Sequence, residues 1–414
     1  MISLPDEIQE LYDNDIGCKQ IILEFYKNDT DTTPSYTLTN DNIISESMEL
    51  NEGLSTSQNI KFGQCYSSRF SIDIFNLKSK FNDDPDFINY KLKAYIYIQD
   101  IDRVYPSGYT QDDSKIQLFT GYVTSSVLSN NRNNRKITAY DILQYKLQTD
   151  ISDLFFNDLL ESRTIKYIRE TILSTLNIPY ESVSLPNDNI VLQKDIFKDT
   201  KNYKIIARQA LESILEFSGC FGHIDRSGTF KFIKITSPYF IYPTDTTSEN
   251  ILYPNETLYP GTISESLINK YKLNTYISVR YGEFKTAPIT GVEFISKDNI
   301  VIDRYTKNYN NVYSSKGNVF IDNILTISEI INDFSEPLYQ EIYKLQYVPT
   351  ELQCSGKPYL EVGDYISFTV NNDDSPKSKE ILIPILSRTL KGIQSLKDNF
   401  SAKGTEKRQY IYKI

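Results

Sequence analysis

Apolar and polar residues alternate with a period of two along much of this chain, and that period predicts strands. Residues 19–26 (KQIILEFY) read as a first strand. Within 68–77 (SRFSIDIFNL), Phe70, Ile72 and Ile74 fall on one face and Ser71 and Asp73 on the other. Over 91–99, Leu92, Ala94, Ile96 and Ile98 stand opposite Lys91, Lys93, Tyr95 and Tyr97. A stretch rich in Gly, Pro, Asp and Ser at 105–114 leads into a strand over 116–123, and 135–139 adds another. Strands joined by turn signals at this spacing make a barrel or a sandwich. Residues 1–145 are therefore expected to form an all-β domain.

The period then lengthens. Thr164 is placed to cap a helix in which Ile165, Ile168, Ile172 and Leu176 line one face, because its hydroxyl can accept from a free first-turn N–H. A second helix is expected from near Thr200, with Ile206, Ala210, Ile214 and Phe217 at helical spacing. It should stop at Gly219, since the residue after a helix often adopts a left-handed conformation. The sequence CFGHI–DRSG–TFKFIKI follows and predicts a β-hairpin turning at Asp225 to Gly228. These elements make 146–250 an α/β domain with a helix-hairpin unit.

Pro238, Pro243, Pro254, Pro260 and Gly261 mark a connector. Short strands return over 262–322, for instance at 274–281 and 299–304. Another helix is expected from near Thr326, broken at Pro337, with Ser335 capping a restart that carries Leu338, Ile342 and Leu345. From Glu351 onward the pattern is β again. The order β, α/β, β, helix, β defines an α+β fold that is mostly β.

Composition narrows the function. The 414 residues are 40% hydrophobic and 24% charged, ordinary for a globular protein. No stretch approaches the roughly 18 apolar residues of a membrane helix, and Met1 to Glu10 carries acids without a basic start, so export by a signal peptide is not expected. Net charge is −10 with no basic cluster, which argues against sequence-independent nucleic-acid binding. The 32 Tyr and 21 Phe, with no Trp, suit broad half-buried sheet faces and interfaces.

Candidate chemistry is sparse. Cys18, Cys65, Cys220 and Cys354 are far apart, without a CxxC pair. That is no zinc pattern, and buried free thiols are expected. The one histidine, His223, sits in a hairpin strand with no nucleophile motif beside it, so a structural role is expected for it and not catalysis. The acid runs Asp83-Asp84-Pro85-Asp86 and Asn371 to Asp374 offer oxygen ligands but lack the spacing of a calcium loop. Solvated loops are the reading they support. No catalytic, cofactor or metal residue is assigned.

Four segments together resemble one family, the tail-hub proteins of siphophages and Gram-positive prophages, known as tail-associated or prophage endopeptidase tail proteins. The first is Ser45-Glu46-Ser47-Met48-Glu49-Leu50-Asn51-Glu52-Gly53-Leu54 followed by Asn59-Ile60-Lys61-Phe62-Gly63-Gln64-Cys65. The second is Lys136-Ile137-Thr138-Ala139-Tyr140-Asp141. The third is Gly219-Cys220 with Asp225-Arg226-Ser227-Gly228. The fourth is Leu360-Glu361-Val362-Gly363-Asp364 with Phe400-Ser401-Ala402-Lys403-Gly404. They occur in the family's order and span nearly the whole chain.

The resemblance implies a hub like that of contractile baseplates, with two tube-like β-barrel domains and an interpolated α/β domain. The first barrel, docking on a ring, would be 1–145 and the second 251–325, with 326–414 supplying a helix and terminal strands that complete the middle domain. It implies a homotrimer at the tail tip of a virion, made in the host cytoplasm, closing the distal tube and adapting sixfold to threefold symmetry. Implied partners are the distal tail protein ring, the tape measure protein, receptor-binding or fibre proteins and the host cell surface, with DNA passing only transiently through the lumen during genome ejection. Many relatives continue into a wall-degrading domain, and this chain, stopping at Ile414, is expected not to share that activity. The alternatives are a receptor- or carbohydrate-binding tail module, using Tyr faces against sugar rings, and a peptidoglycan hydrolase.

Overall fold

The computed structural model describes residues 2–55, 59–75, 85–99, 105–130, 133–156, 163–191, 204–235, 270–322, 334–343, 345–370 and 379–405. The connector at 238–261, the helix expected from near Thr326 and most of the two acid runs (all but Pro85 and Asp86) lie outside these residues.

A short helix, α1 (Asp6–Asp13), leads into β1 (Cys18–Tyr26), β2 (Tyr36–Leu38), β3 (Glu49–Gly53), β4 (Arg69–Phe75), β5 (Lys91–Gln99), β6 (Ile116–Leu128) and β7 (Asn134–Tyr140). The period-two reading holds here: Phe70, Ile72, Ile74, Leu92, Ala94, Ile96 and Ile98 are all fully buried. Helices α2 (Leu143–Lys146), α3 (Ser152–Phe156), α4 (Ile165–Thr175) and α5 (Ala207–Phe217) follow, then the hairpin strands β8 (Phe221–Ile224) and β9 (Phe230–Ile233). The rest comprises β10 (Lys270–Leu273), β11 (Ser278–Tyr281), β12 (Gly291–Ile295), β13 (Val301–Thr306), β14 (Val312–Lys316), α6 (Val319–Asp322), α7 (Ser335–Ile342), β15 (Thr350–Ser355), β16 (Tyr365–Val370), β17 (Lys379–Pro384), β18 (Ser387–Lys391) and β19 (Lys397–Ala402).

The protein is mostly β. Its main layer is one antiparallel sheet of eleven strands in the order β11-β15-β19-β18-β3-β4-β7-β6-β5-β1-β2. The seam between its early and late strands is the pairing of β18 with β3, where Leu390 faces Leu50 and Thr389 faces Asn51. Among the described residues β3 pairs with β18 and β4 and not with β2, so no closed barrel is found over 1–145. Strands of the second β region spread over three sheets. β12 lies between β13 and β14, β10 runs parallel to β16 beside β17, and β11 joins the main sheet through β15.

Three helices show how local and distant groups share the capping work. The Thr164 hydroxyl accepts from Tyr167 N–H at 3.2 Å, as its position predicts. α5 begins at Ala207, later than the expected start near Thr200. Ile206 is still extended there and forms a bridge with Asp150, while Ile205 N–H bonds the Ser152 hydroxyl. The helix ends as foreseen, with Gly219 at φ 64°. α7 begins at Ser335, but the Ser335 side chain does not cap it. Instead Asp303 in β13 accepts from both Phe334 and Ser335 N–H at 2.8 Å. A carboxylate at a helix N-terminus satisfies free donors and complements the dipole, and this one ties α7 to the sheet below it.

Phe217 closes the middle of the molecule, stacked on Phe334 at 4.4 Å and tilted against Phe294 at 5.3 Å. Beside it Glu216 is buried at 3% exposure, accepting from the Tyr313 hydroxyl at 2.7 Å and Asn318 Nδ2 at 3.1 Å. Burial raises its pKa, and these hydrogen bonds only partly oppose the rise. A carboxyl with a raised folded-state pKa contributes its stability below the unfolded value, roughly 4.3, and loses it as pH rises through the folded value. Gln can keep both contacts, because the Tyr313 hydroxyl can turn to accept from Nε2. Glu216→Gln is therefore expected to gain stability relative to the parent as pH increases from 4 to 8, read as the difference in urea midpoint at each pH. A difference that stays flat across that range would show that the Glu216 carboxyl has the same pKa in the folded and unfolded states.

Candidate functional site

The segment between β15 and β16 is pinned at almost every residue. Gly356 N–H donates to Leu396 O at 2.8 Å, Lys357 N–H to Asp398 Oδ2 at 2.6 Å and Gly363 N–H to Ile385 O at 2.9 Å. Two buried guanidinium groups hold its carbonyls. Arg388 of β18 donates to Lys357 O at 2.8 Å and to Leu360 O, and Arg226 of the hairpin turn donates to Pro358 O and Leu360 O. Lys357 Nζ in turn lies 2.8 Å from the Asp13 carboxylate at the end of α1, which also accepts from the Tyr271 hydroxyl at 2.8 Å and the Tyr359 hydroxyl.

The charges behind these contacts are matched. Arg388 makes a two-pronged pair with Asp398, Nε to Oδ1 at 2.7 Å and Nη2 to Oδ2 at 3.0 Å, and reaches Glu52 at 3.3 Å. Arg226 lies 3.9 Å from Glu52 and 3.7 Å from Glu361. Burial works against the Arg388 charge, yet Asp398 and Glu52 beside it hold its pKa above the ordinary arginine value. At Arg226 burial prevails over Glu52 and Glu361 and lowers it. Removing one member of such a group leaves an uncompensated buried charge, so the cluster locks together the parts that contribute to it. Those parts are β3, β18, β19, the β8–β9 turn and the 357–364 segment.

Nearby, Asp141 is fully enclosed and accepts from Ser68 N–H at 2.6 Å, the Ser67 hydroxyl at 2.5 Å and Leu143 N–H at 3.0 Å. Burial pushes its carboxyl up against these bonds. It pins the end of β7 to the segment before β4. The second weld joins residues 62–65 to α5 and the hairpin. Gly63 N–H donates to Cys220 O at 2.8 Å, Cys65 N–H to Glu212 Oε1 at 3.1 Å and Gly222 N–H to Gln64 O at 3.1 Å.

All four motif segments thus meet in space. Glu52, Gly63 and Cys65 come from the first, Asp141 from the second, Cys220 and Arg226 from the third, and Leu360 and Glu361 from the fourth. Arg388, Asp398 and Lys357 complete the cluster and were not legible as site residues, although a parity signal exists. Arg388 shares the strand face of Leu390, Asp398 that of Phe400, and Glu52 that of Leu50. A charge on the apolar parity of a strand points into the core.

His223 is 2% exposed, with Nε2 4.0 Å from Glu52 Oε1. It lines a pocket of about 560 Å3 that also touches Lys115, Gln117, Arg226, Glu361 and Asp364. Cys65, Cys220 and Cys354 are buried and free, whereas Cys18 is half-buried. Burial pushes the Cys65 and Cys354 thiols well up and Cys220 up to about 12. No group of three or more His, Cys, Asp or Glu side chains among the described residues is arranged to hold a metal, and no helix among them is long and apolar enough to cross a membrane.

Among solved structures, this chain is similar to phage tail proteins. The 43 kDa tail protein of prophage MuSo2 from Shewanella oneidensis matches over 92% of this chain and 96% of its own, at 10% identity and a TM-score of 0.48. The tail protein from Neisseria meningitidis MC58 matches over 92% and 95%, at 8% identity and 0.48. Prophage tail protein gp18 from Listeria monocytogenes EGD-e matches over 93% and 95%, at 11% identity and 0.44. No family model and no curated protein matches the sequence.

Proposed function

We propose that this chain is the structural hub of a phage or phage-like tail tip or baseplate, working by assembly and not by catalysis. The observation that carries the reading is the convergence just described. Segments that resemble tail-hub proteins, scattered from Ser45 to Gly404, supply the residues that weld the main sheet, the helix-hairpin unit and the terminal strands. A junction whose guanidinium charges are matched by buried carboxylates is suited to holding elements in fixed geometry.

On this reading the strands β1 to β7 belong to the ring-docking domain 1–145, and the second tube-like domain, 251–325, contributes β11 to the same sheet and β10, β12, β13 and β14 beside it, with the terminal strands β15, β18 and β19 joining the two. Three copies would then present six such domains to a sixfold distal tail ring and narrow to threefold symmetry beyond it. The end strands β2 and β11, each with one neighbouring strand among the described residues, support a head-to-tail arrangement: sheet edges are templates for pairing, and a heterologous contact that closes makes a ring. Tape measure, fibre and receptor-binding proteins would attach to this frame, and its opening would release DNA on host contact.

The test is the oligomeric state of the purified protein. Light scattering is expected to give three copies of the 47.9 kDa chain, with rings in negative stain. Ile277, 58% exposed beside the β11 edge, is expected to sit at the contact, so Ile277→Asp should leave a folded monomer. Monomeric parent protein that never associates with a tail ring would sink the proposal.

A further inference from the structure

We propose that the pocket beside the buried junction binds a hydroxyl-rich ligand of the sugar or polyol class, recognised by His223 and Arg226. This goes beyond the hub reading and does not depend on it. The pocket's volume of about 560 Å3 lies within the range of small-molecule sites, roughly 300–1,000 Å3. Ile2, Ile116, Ile233 and Val362 supply an apolar wall, and polar groups converge from β6, the hairpin and the 361–364 segment.

Two side chains of this lining are buried without full satisfaction. His223 is 2% exposed and neither ring nitrogen has a hydrogen-bond partner, the Glu52 carboxylate at 4.0 Å standing beyond reach. Arg226 is 5% exposed, and its Nε has no hydrogen-bond partner either, with Glu361 Oε1 at 3.7 Å. Buried polar groups are almost always paired, and an exception calls for an explanation. The imidazole offers two nitrogens able to donate or accept, and the guanidinium Nε offers one N–H. The complement is a group that both donates and accepts, beside a second acceptor, as vicinal hydroxyls do.

Charge argues against an anion. Arg226 and Arg388 already face Glu52, Asp398 and Glu361, so no buried positive charge is left over. The three carboxylates of the lining, Asp225, Glu361 and Asp364, match its three cations, Lys115, Arg226 and Lys231. Lys115, the exposed cation at the rim, has its ammonium over the Tyr95 ring at 4.4 Å. Lys231 is paired with Glu181 and Asp225.

Because His223 is the sole histidine, nitrogen-15 labelling of histidine reports on this pocket alone. The labelled full chain is titrated with N-acetyl-D-glucosamine and, separately, with inorganic phosphate at matched ionic strength. The sugar is expected to shift the ring-nitrogen signals saturably and phosphate is not. A saturable response to phosphate, alone or alongside the sugar, overturns the assignment of class. No saturable response to either probe means a pocket holding water only and overturns the site.

Discussion

Replacing Arg388 with alanine is expected to destabilise the chain by about 3–5 kcal/mol, the range for removing one partner of a buried ion pair. The size follows from what is left behind. Asp398 is fully buried and Glu52 is 6% exposed, so neither carboxylate gains enough water to replace the lost guanidinium. The carbonyls of Lys357 and Leu360 lose donors at the same time. With no Trp in the chain, circular dichroism or tyrosine fluorescence serves to follow urea unfolding, and the midpoint should fall with little change in slope. Replacing the pair together, as Arg388→Met with Asp398→Leu, is expected to recover part of the loss, since a well-packed apolar pair removes the desolvation penalty along with the attraction. If Arg388→Ala unfolds within about 1 kcal/mol of the parent, as an exposed pair would, the junction is not what welds these segments.

The sequence made some of this legible and hid the rest for identifiable reasons. Strands β4 and β5 were readable because one face is buried, which forces strict alternation. Helix α4 was readable because Thr164 and its apolar stripe are local signals. The start of α5 was misplaced because Ile206 continues the helical spacing of Ala210 and Ile214, yet a long-range bridge to Asp150 holds it extended. The cap of α7 was invisible because Asp303, its acceptor, lies 31 residues away from Phe334. The seam between β3 and β18 is more distant still: Thr389 and Asn51 bond across 338 residues, and nothing in either strand's own pattern names its partner. α1 carries Ile8, Leu11 and Tyr12 at helical spacing and buries them, but its 8 residues make little more than two turns, too short a window for the period to stand out. The four motif segments marked the place where the junction would form, but not its buried charges.

Gly63→Ala is expected to be about as damaging as losing Arg388, for a different reason, and Gly108→Ala separates its two causes. Both glycines have left-handed backbone, Gly63 at φ 84° and Gly108 at φ 97°. That conformation costs a residue with a Cβ about 1–2 kcal/mol. At Gly108 an added Cβ meets nothing within 4 Å, so the backbone term is the whole effect. At Gly63 it falls 2.2 Å from Glu212 O and 2.9 Å from Glu216 N and Cβ. Those atoms belong to the body of α5 and cannot swing aside, so the segment at 62–65 must lift off. Overpacking of this kind adds about 1–3 kcal/mol. Lifting also breaks the bonds from Gly63 N–H to Cys220 O and from Cys65 N–H to Glu212, which hold the first sheet to the helix-hairpin unit. Gly108→Ala should therefore shift the unfolding midpoint slightly, while Gly63→Ala should shift it several times as far and expose 62–65 to amide hydrogen exchange. Equal shifts for the two variants would mean that the close approach to α5 contributes nothing, and that the sheet and the helix-hairpin unit are joined elsewhere.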